Sequence, residues 1–146
     1  PPGPPMRTTH RVVDVTTHDG HRYFVTKGDA IANTAVSRGI ATEAWSVTDL
    51  LEALRPPGDA ATAKAVREAT LLVLDDLGAA KATDWAVETI TAIVDTRLRE
   101  GLRQIVTTNH TYEALEAAWG TRLLDRLRYR WTVVTLAGES RRKAAF

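Results

Sequence analysis

Asp75 and Asp76 stand side by side at the end of the apolar run Leu71-Leu72-Val73-Leu74, and Gly78 follows two residues later. Four consecutive apolar residues of strand type describe a strand buried on both faces. Its two acids then emerge together at the carboxyl end, where open parallel sheets place their ligand sites. A hard cation such as Mg²⁺ takes oxygen ligands there, and a second acid beside it can orient or deprotonate a water. That is the form of a Walker B element in a nucleotide-triphosphate hydrolase. An equally economical reading is a buried strand whose acid pair caps the next loop.

Asn109 closes the next strand-like segment, 103–108, which follows the acidic strand through one helical segment. Consecutive parallel strands tend to be neighbours, so a carboxamide would arrive beside the two acids. An amide there can hold the water that attacks a γ-phosphate; a capping Asn at a strand end is the plain alternative. Arg122, Arg126 and Arg130 recur at i, i+4 and i+8, which puts three guanidinium groups on one helix face. The planar fork of Arg suits phosphate. A solvated face relieved by Asp125 explains the same spacing.

These residues need a scaffold. Strand-like segments at 11–17 and 21–26 flank the turn signal His18-Asp19-Gly20 and predict a hairpin. Asp29 caps a helix that runs to about Arg38, ahead of Gly39, and 41–47 is a short strand. Thr48 or Asp49 then caps a helix through Leu54, and a second helix covers 60–68 beyond Arg55-Pro56-Pro57-Gly58. Thr83 or Asp84 opens the clearest helix of the chain. Val87, Ile90, Val94 and Leu98 share one of its faces, and Gly101 stops it. Thr111 caps 112–119, Gly120 ends it, a further helix runs from Thr121 to about Tyr129, and 131–136 is the last strand. Strands alternating with helices mean a parallel α/β sheet with right-handed crossovers. We divide the chain into a linker at 1–10, a hairpin and first core strand at 11–28, and an incomplete core at 29–146.

At 146 residues there is room for one domain with a real core. No apolar stretch is long enough to cross a bilayer, and no signal-peptide pattern opens the chain. The absence of Cys removes disulfides, thiolate zinc sites and cysteine nucleophiles, and a cytoplasmic address fits best. The proline-rich start without an initial Met suggests a fragment or an over-extended reading frame, with Met6 as a possible start. Net charge is only +1, yet ten Lys/Arg face five Asp/Glu from Arg97 onward. That surplus is compatible with phosphate or nucleic-acid contact and with ordinary surface charge. Lys64 with Arg67, or Arg99 with Arg103, could follow a single-stranded DNA backbone, though no aromatic platform accompanies them.

Residues 71–143 resemble the AAA+ ATPases of the DnaC/IstB family, helicase loaders and transposition helper proteins. The resemblance rests on LLVLDDLGAAKATDW (71–85), IVTTN (105–109), GTRLLDRL (120–127) and LAGESRRK (136–143), in order and at matching spacing. Residues 37–51 fit more weakly. It implies a P-loop NTPase (AAA+) type α/β sheet flanked by helices, here with an atypical N-terminal hairpin. It further implies ATP and Mg²⁺, self-association or an AAA+ partner subunit, single-stranded DNA, and a replicative helicase or transposase. By the same resemblance Asp75 holds Mg²⁺, Asp76 is the catalytic carboxylate and Asn109 senses the γ-phosphate. Arg126 matches the arginine finger offered to a neighbour, and Arg142 the second sensor, with Arg141 as the competing register.

One expected motif is missing. A phosphate-binding loop needs G-x-x-x-x-G-K-[ST], so that glycine backbone approaches the phosphates and Lys reaches them. None of the nine glycines is followed by Lys. Phe24-Val25-Thr26-Lys27-Gly28-Asp29 lies between strand and helix, which makes Lys27 the surviving candidate, but Asp29 puts negative charge where phosphate should sit. Phosphoryl transfer depends on positioning, so the chain alone is expected to turn over ATP weakly or not at all. The alternative is a non-hydrolysing subunit that lends Arg126 to a partner ATPase. A phospho-acceptor receiver domain, which wants an acid pair after its first strand and Lys after its last, does not fit.

Overall fold

Four apolar residues with no polar partner of their own can only be strand if both faces are covered, and the middle of the sheet is where that happens. The computed structural model describes residues 13–18, 21–26, 35–129 and 132–133. Among them β1 (Val13–His18) and β2 (His21–Thr26) pair antiparallel, Val13 opposite Thr26 and His18 opposite His21, as the hairpin signal predicts. Three further strands, β3 (Thr42–Ser46), β4 (Leu71–Asp75) and β5 (Arg103–Val106), form a separate parallel sheet in the order β3-β4-β5. The central strand is the acidic one. Ser46 is in register with Asp75 on one side, and Leu74 with Val106 on the other.

Helices supply the crossovers. Between β3 and β4 run α1 (Val47–Leu54) and α2 (Ala60–Glu68); between β4 and β5 runs α3 (Asp84–Arg99). After β5 come α4 (Tyr112–Trp119) and α5 (Thr121–Arg128). On one face of β4, Leu72 and Leu74 join Leu50 of α1, Ile90 and Val94 of α3, Trp119 of α4 and Leu123 of α5 in the main core. On the other, Leu71 and Val73 pack with Ala35, Ile40 and Ile105. No helix among the described residues is long and apolar enough to cross a membrane.

The helix starts follow the local chemistry. Asp59, Thr83 and Thr111 each accept a hydrogen bond from a backbone N–H two or three residues on, the N-cap arrangement expected of these side chains. For α1 the cap is Ser46, which accepts from Asp49 N, and not Thr48 or Asp49. Val47, expected as the last strand residue, is the first helical one. It is wholly buried with Leu50 and Leu51 close by, and that apolar spacing sets the phase of the helix. β5 also ends two residues earlier than expected: the Thr107 backbone still bonds across to β4, but the Thr107 and Thr108 hydroxyls are engaged by Asp75 and Leu77 O in the turn beyond. The start of the helix expected from Asp29 and most of the strand expected at 131–136 lie outside the described residues.

Arg97 is wholly buried at the far end of α3. Its Nη1 donates to the carbonyls of Val66 (2.8 Å) and Arg67 (3.2 Å), and its Nη2 to that of Arg103 (2.6 Å). One guanidinium therefore closes the C-terminal turn of α2, where helix carbonyls lack partners, and ties it to the beginning of β5. Burial pushes its pKa below the usual arginine value. Counted from sequence among the basic surplus, Arg97 is a structural cation that contributes nothing to the surface.

Candidate functional site

The ends of β4 and β5 are laced together by short polar side chains. Thr107 N donates to Leu74 O (3.0 Å) and Leu77 N to Thr107 O (2.8 Å), continuing the ladder past both strands. The Thr107 hydroxyl donates to Asp75 Oδ1 at 2.7 Å and accepts from Asp76 N at 2.9 Å. Asn109 Nδ2 donates to Asp76 Oδ1 at 3.1 Å. Thr108, buried beneath, donates from its hydroxyl to Leu77 O and accepts from His110 N. Asp75, Asp76 and Asn109 thus meet at one rim of the parallel sheet, as parallel β4 and β5 require.

Backbone geometry contributes too. Asp76 has φ +63°, which swings its carboxylate out of the strand line and towards Asn109. Gly78 has φ +108°, and a Cβ there would lie 2.3 Å from Cδ2 of the His110 ring. Glycine is needed twice over, for the turn and for the ring packed on it.

Asp75 and Asp76 are half-buried and Asn109 is exposed, so the rim opens to solvent. Among the described residues no hydrogen bond engages Asp75 Oδ2, Asp76 Oδ2 or Asn109 Oδ1. Three oxygens of the type that a hard cation and its waters prefer are therefore available together. Among the described residues no group of three or more His, Cys, Asp or Glu comes together, so no all-protein metal cage exists. The donor set fits Mg²⁺, which keeps most of its waters and takes one or two carboxylates alongside phosphate oxygens. It does not supply a phosphate cradle.

Arg126 lies elsewhere. Its Nε donates to Asp95 Oδ1 at 2.7 Å and its Nη1 to Arg122 O at 3.1 Å. Asp95 is on α3 only two residues before Arg97, which binds the start of β5. Asp95 is roughly 16 Å along α3 from Asp84, so Arg126 meets the half of α3 remote from Thr83 and the acidic rim. Its ion-pair partner is not Asp125, the acid expected to relieve this face, but Asp95 from another helix. The Arg126 hydrogen bond, followed by the charges of Arg126, Arg99 and Arg122, holds the Asp95 carboxyl below its ordinary value. Lys27, Arg130, Arg141 and Arg142 lie outside the described residues.

Thr107 is inconspicuous in the sequence, because Thr is at home in any strand. The signal was its place in Thr107-Thr108-Asn109, one step past the last apolar residue. Asp95 gave no local signal at all, being mid-helix and 31 residues from its partner.

The family model described as IstB-like ATP binding protein matches residues 22–145. No curated protein matches the sequence. Among solved structures, the DnaC helicase loader is 24% identical with a TM-score of 0.63, over 75% of this chain and 69% of that one. A candidate primosome component from Streptococcus pyogenes serotype M3 is 26% identical with a TM-score of 0.58, over 74% of this chain and 58% of that one. DnaA from Aquifex aeolicus, solved with AMPPCP bound, is 19% identical with a TM-score of 0.59. The likeness to DnaA covers 68% of this chain but only 32% of that one.

Proposed function

Because the chain belongs to the IstB-like ATP-binding protein family, within the DnaC/IstB group of AAA+ proteins, we propose that its acidic rim is a nucleotide site. In this reading it serves in DNA replication, as a helicase loader, or in transposition. The observation that carries this is the Asp76–Asn109 hydrogen bond with Asp75 beside it. Asp75 would hold Mg²⁺ through its free oxygen, and the ion would supply charge neutralisation at phosphate oxygens. Asn109 spends one N–H on Asp76, leaving its other N–H and its carbonyl to orient a water. Asp76 keeps one oxygen free to accept that water's proton. Thr107 fixes both acids from behind.

Positioning is the whole of phosphoryl-transfer catalysis apart from charge, and no glycine-lysine loop occurs in the sequence to position a triphosphate. Hydrolysis by the chain alone is expected to be weak or nil. Purified protein assayed with Mg-ATP should release phosphate no faster than its Asp75→Ala variant. A wild-type rate abolished by that substitution would overturn the expectation of impaired turnover and establish the rim as catalytic. Lys27 and Arg142 remain the proposed contacts to the nucleotide itself.

A second reading has its own support. Arg126 pairs with Asp95 well along α3 from the acidic rim, and in this reading the phosphate it meets belongs to another subunit. The chain would then be a non-hydrolysing partner that lends Arg126 to an intact AAA+ neighbour. Titration with ATP separates the two: binding to the isolated chain favours the first, and stimulation of a partner's hydrolysis without binding favours the second. Self-association, a replicative helicase or transposase, and single-stranded DNA are the partners this family reading proposes.

A further inference from the structure

We propose that Asp95 is a positioning residue for Arg126, holding its guanidinium so that one edge faces the α3–α5 groove and a phosphate carried there by a neighbouring subunit. The proposal rests on the reading of Arg126 as an arginine supplied in trans. Two of the three guanidinium nitrogens are already engaged: Nε by Asp95 Oδ1 at 2.7 Å and Nη1 by Arg122 O at 3.1 Å. Among the described residues none accepts a hydrogen bond from Nη2. Arg126 is in the wall of a cavity of about 450 Å³ lined also by Asp95, Leu98, Arg99, Asp125 and Tyr129.

A free arginine side chain carries about 2 kcal/mol of rotamer entropy that must be given up on binding. Anchoring it beforehand removes most of that loss and fixes the direction of the remaining donors. The Arg126 side chain is only 29% exposed, which fits a held group better than a swinging one. Asp95 offsets part of the positive field, yet Arg99 and Arg122 flank the same carboxylate. The lining itself balances Arg99 and Arg126 against Asp95 and Asp125, so an incoming phosphate would be met by the directed donors of Arg126 and not by a net positive field. A surface ion pair kept only for stability would be worth little; a pair in a cavity wall that leaves one donor nitrogen of its arginine unused has a further use.

The test pairs the full chain with an IstB-like ATPase subunit that has an intact phosphate loop but whose own arginine in the DRL motif is replaced by Ala. Arginine fingers raise kcat by about 10³–10⁵-fold, so a trans contribution is easily read. Asp95→Ala should cost about 10-fold or more of the stimulated kcat with KM for ATP unchanged, and Asp95→Glu should restore most of it. Stimulation at or above wild type in Asp95→Ala, with Arg126→Ala inactive, would overturn the positioning role. If Arg126→Ala stimulates as well as wild type, the trans reading itself fails and takes the role of Asp95 with it. A measurement on the chain alone separates the two failures. The Arg126 Nε–H should exchange with water about 10-fold more slowly in wild type than in the isosteric Asp95→Asn. Equal rates would show that Asp95 does not hold Arg126.

Discussion

A single hydroxyl, that of Thr107, meets both acids of the rim, donating to Asp75 and accepting from the amide of Asp76. Valine has the same shape without either hydrogen bond. Thr107→Val should therefore leave the half-buried Asp76 N–H unpaired, destabilising the protein by about 1–3 kcal/mol, while Thr107→Ser stays near wild type. Urea unfolding measures both, and a Val variant as stable as wild type would show that the hydroxyl braces nothing. At this scale the sequence was informative where chemistry is carried by unusual groups. Asp75, Asp76 and Asn109 announce themselves because two charges and an amide interrupt an otherwise apolar or β-branched pattern. Thr107 and Asp95 do not, since each has a residue type its secondary structure accepts without comment, and their partners come from distant parts of the chain.

Among the elements, α3 shows why charge alone is a poor guide to exposure. Arg97 lies between Val94 and Leu98 of the apolar stripe, yet it stands under the core because three carbonyls, from α2 and from the start of β5, need donors there. Lysine offers a point charge in place of a fork and cannot span those carbonyls. Arg97→Lys and Arg97→Met should each lower stability by roughly 2–4 kcal/mol, Met keeping the packing of the stem but none of the donors. A denaturation midpoint for Met equal to wild type would mean that the carbonyls find water instead. The helix start at Thr111 is legible because one cap residue stands alone there, and at Thr83 the choice against Asp84 shifts it by a single residue. The start of α1 is not legible, since Ser46, Thr48 and Asp49 compete and the burial of Val47 decides among them.

Over the whole molecule, the acid limit of stability has identifiable sources. Thr62 and the Ala61 amide hold Asp59 below its ordinary 3.8, and Arg126 does the same for Asp95. A carboxyl depressed in the folded state stabilises it fully above the unfolded pKa and loses that contribution as pH falls through the folded one. Thermal midpoints should hold steady from neutrality to about pH 5 and drop below about pH 4, with Asp59→Asn and Asp95→Asn each blunting the drop. An acid limb unchanged in the double variant would assign it to other groups. The same contacts thin the cationic surplus of the second half, as Arg97 is buried and Arg126 is paired. Alternation of strands and helices was enough to anticipate the parallel sheet and the adjacency of β4 and β5. No periodicity could have placed Arg126 against the half of α3 remote from the acids, because that depends on how α5 leans on α3.

Asp76 carries one more consequence. Its positive φ puts an L-amino acid in a turn of the wrong hand, a conformation that disfavours side chains by about 1 kcal/mol or more and that glycine adopts freely. Chirality and carboxylate pull in opposite directions at that residue: Asp76→Gly would ease the backbone while stripping the rim of its acid. An architecture optimised only to stay folded would have settled on glycine there.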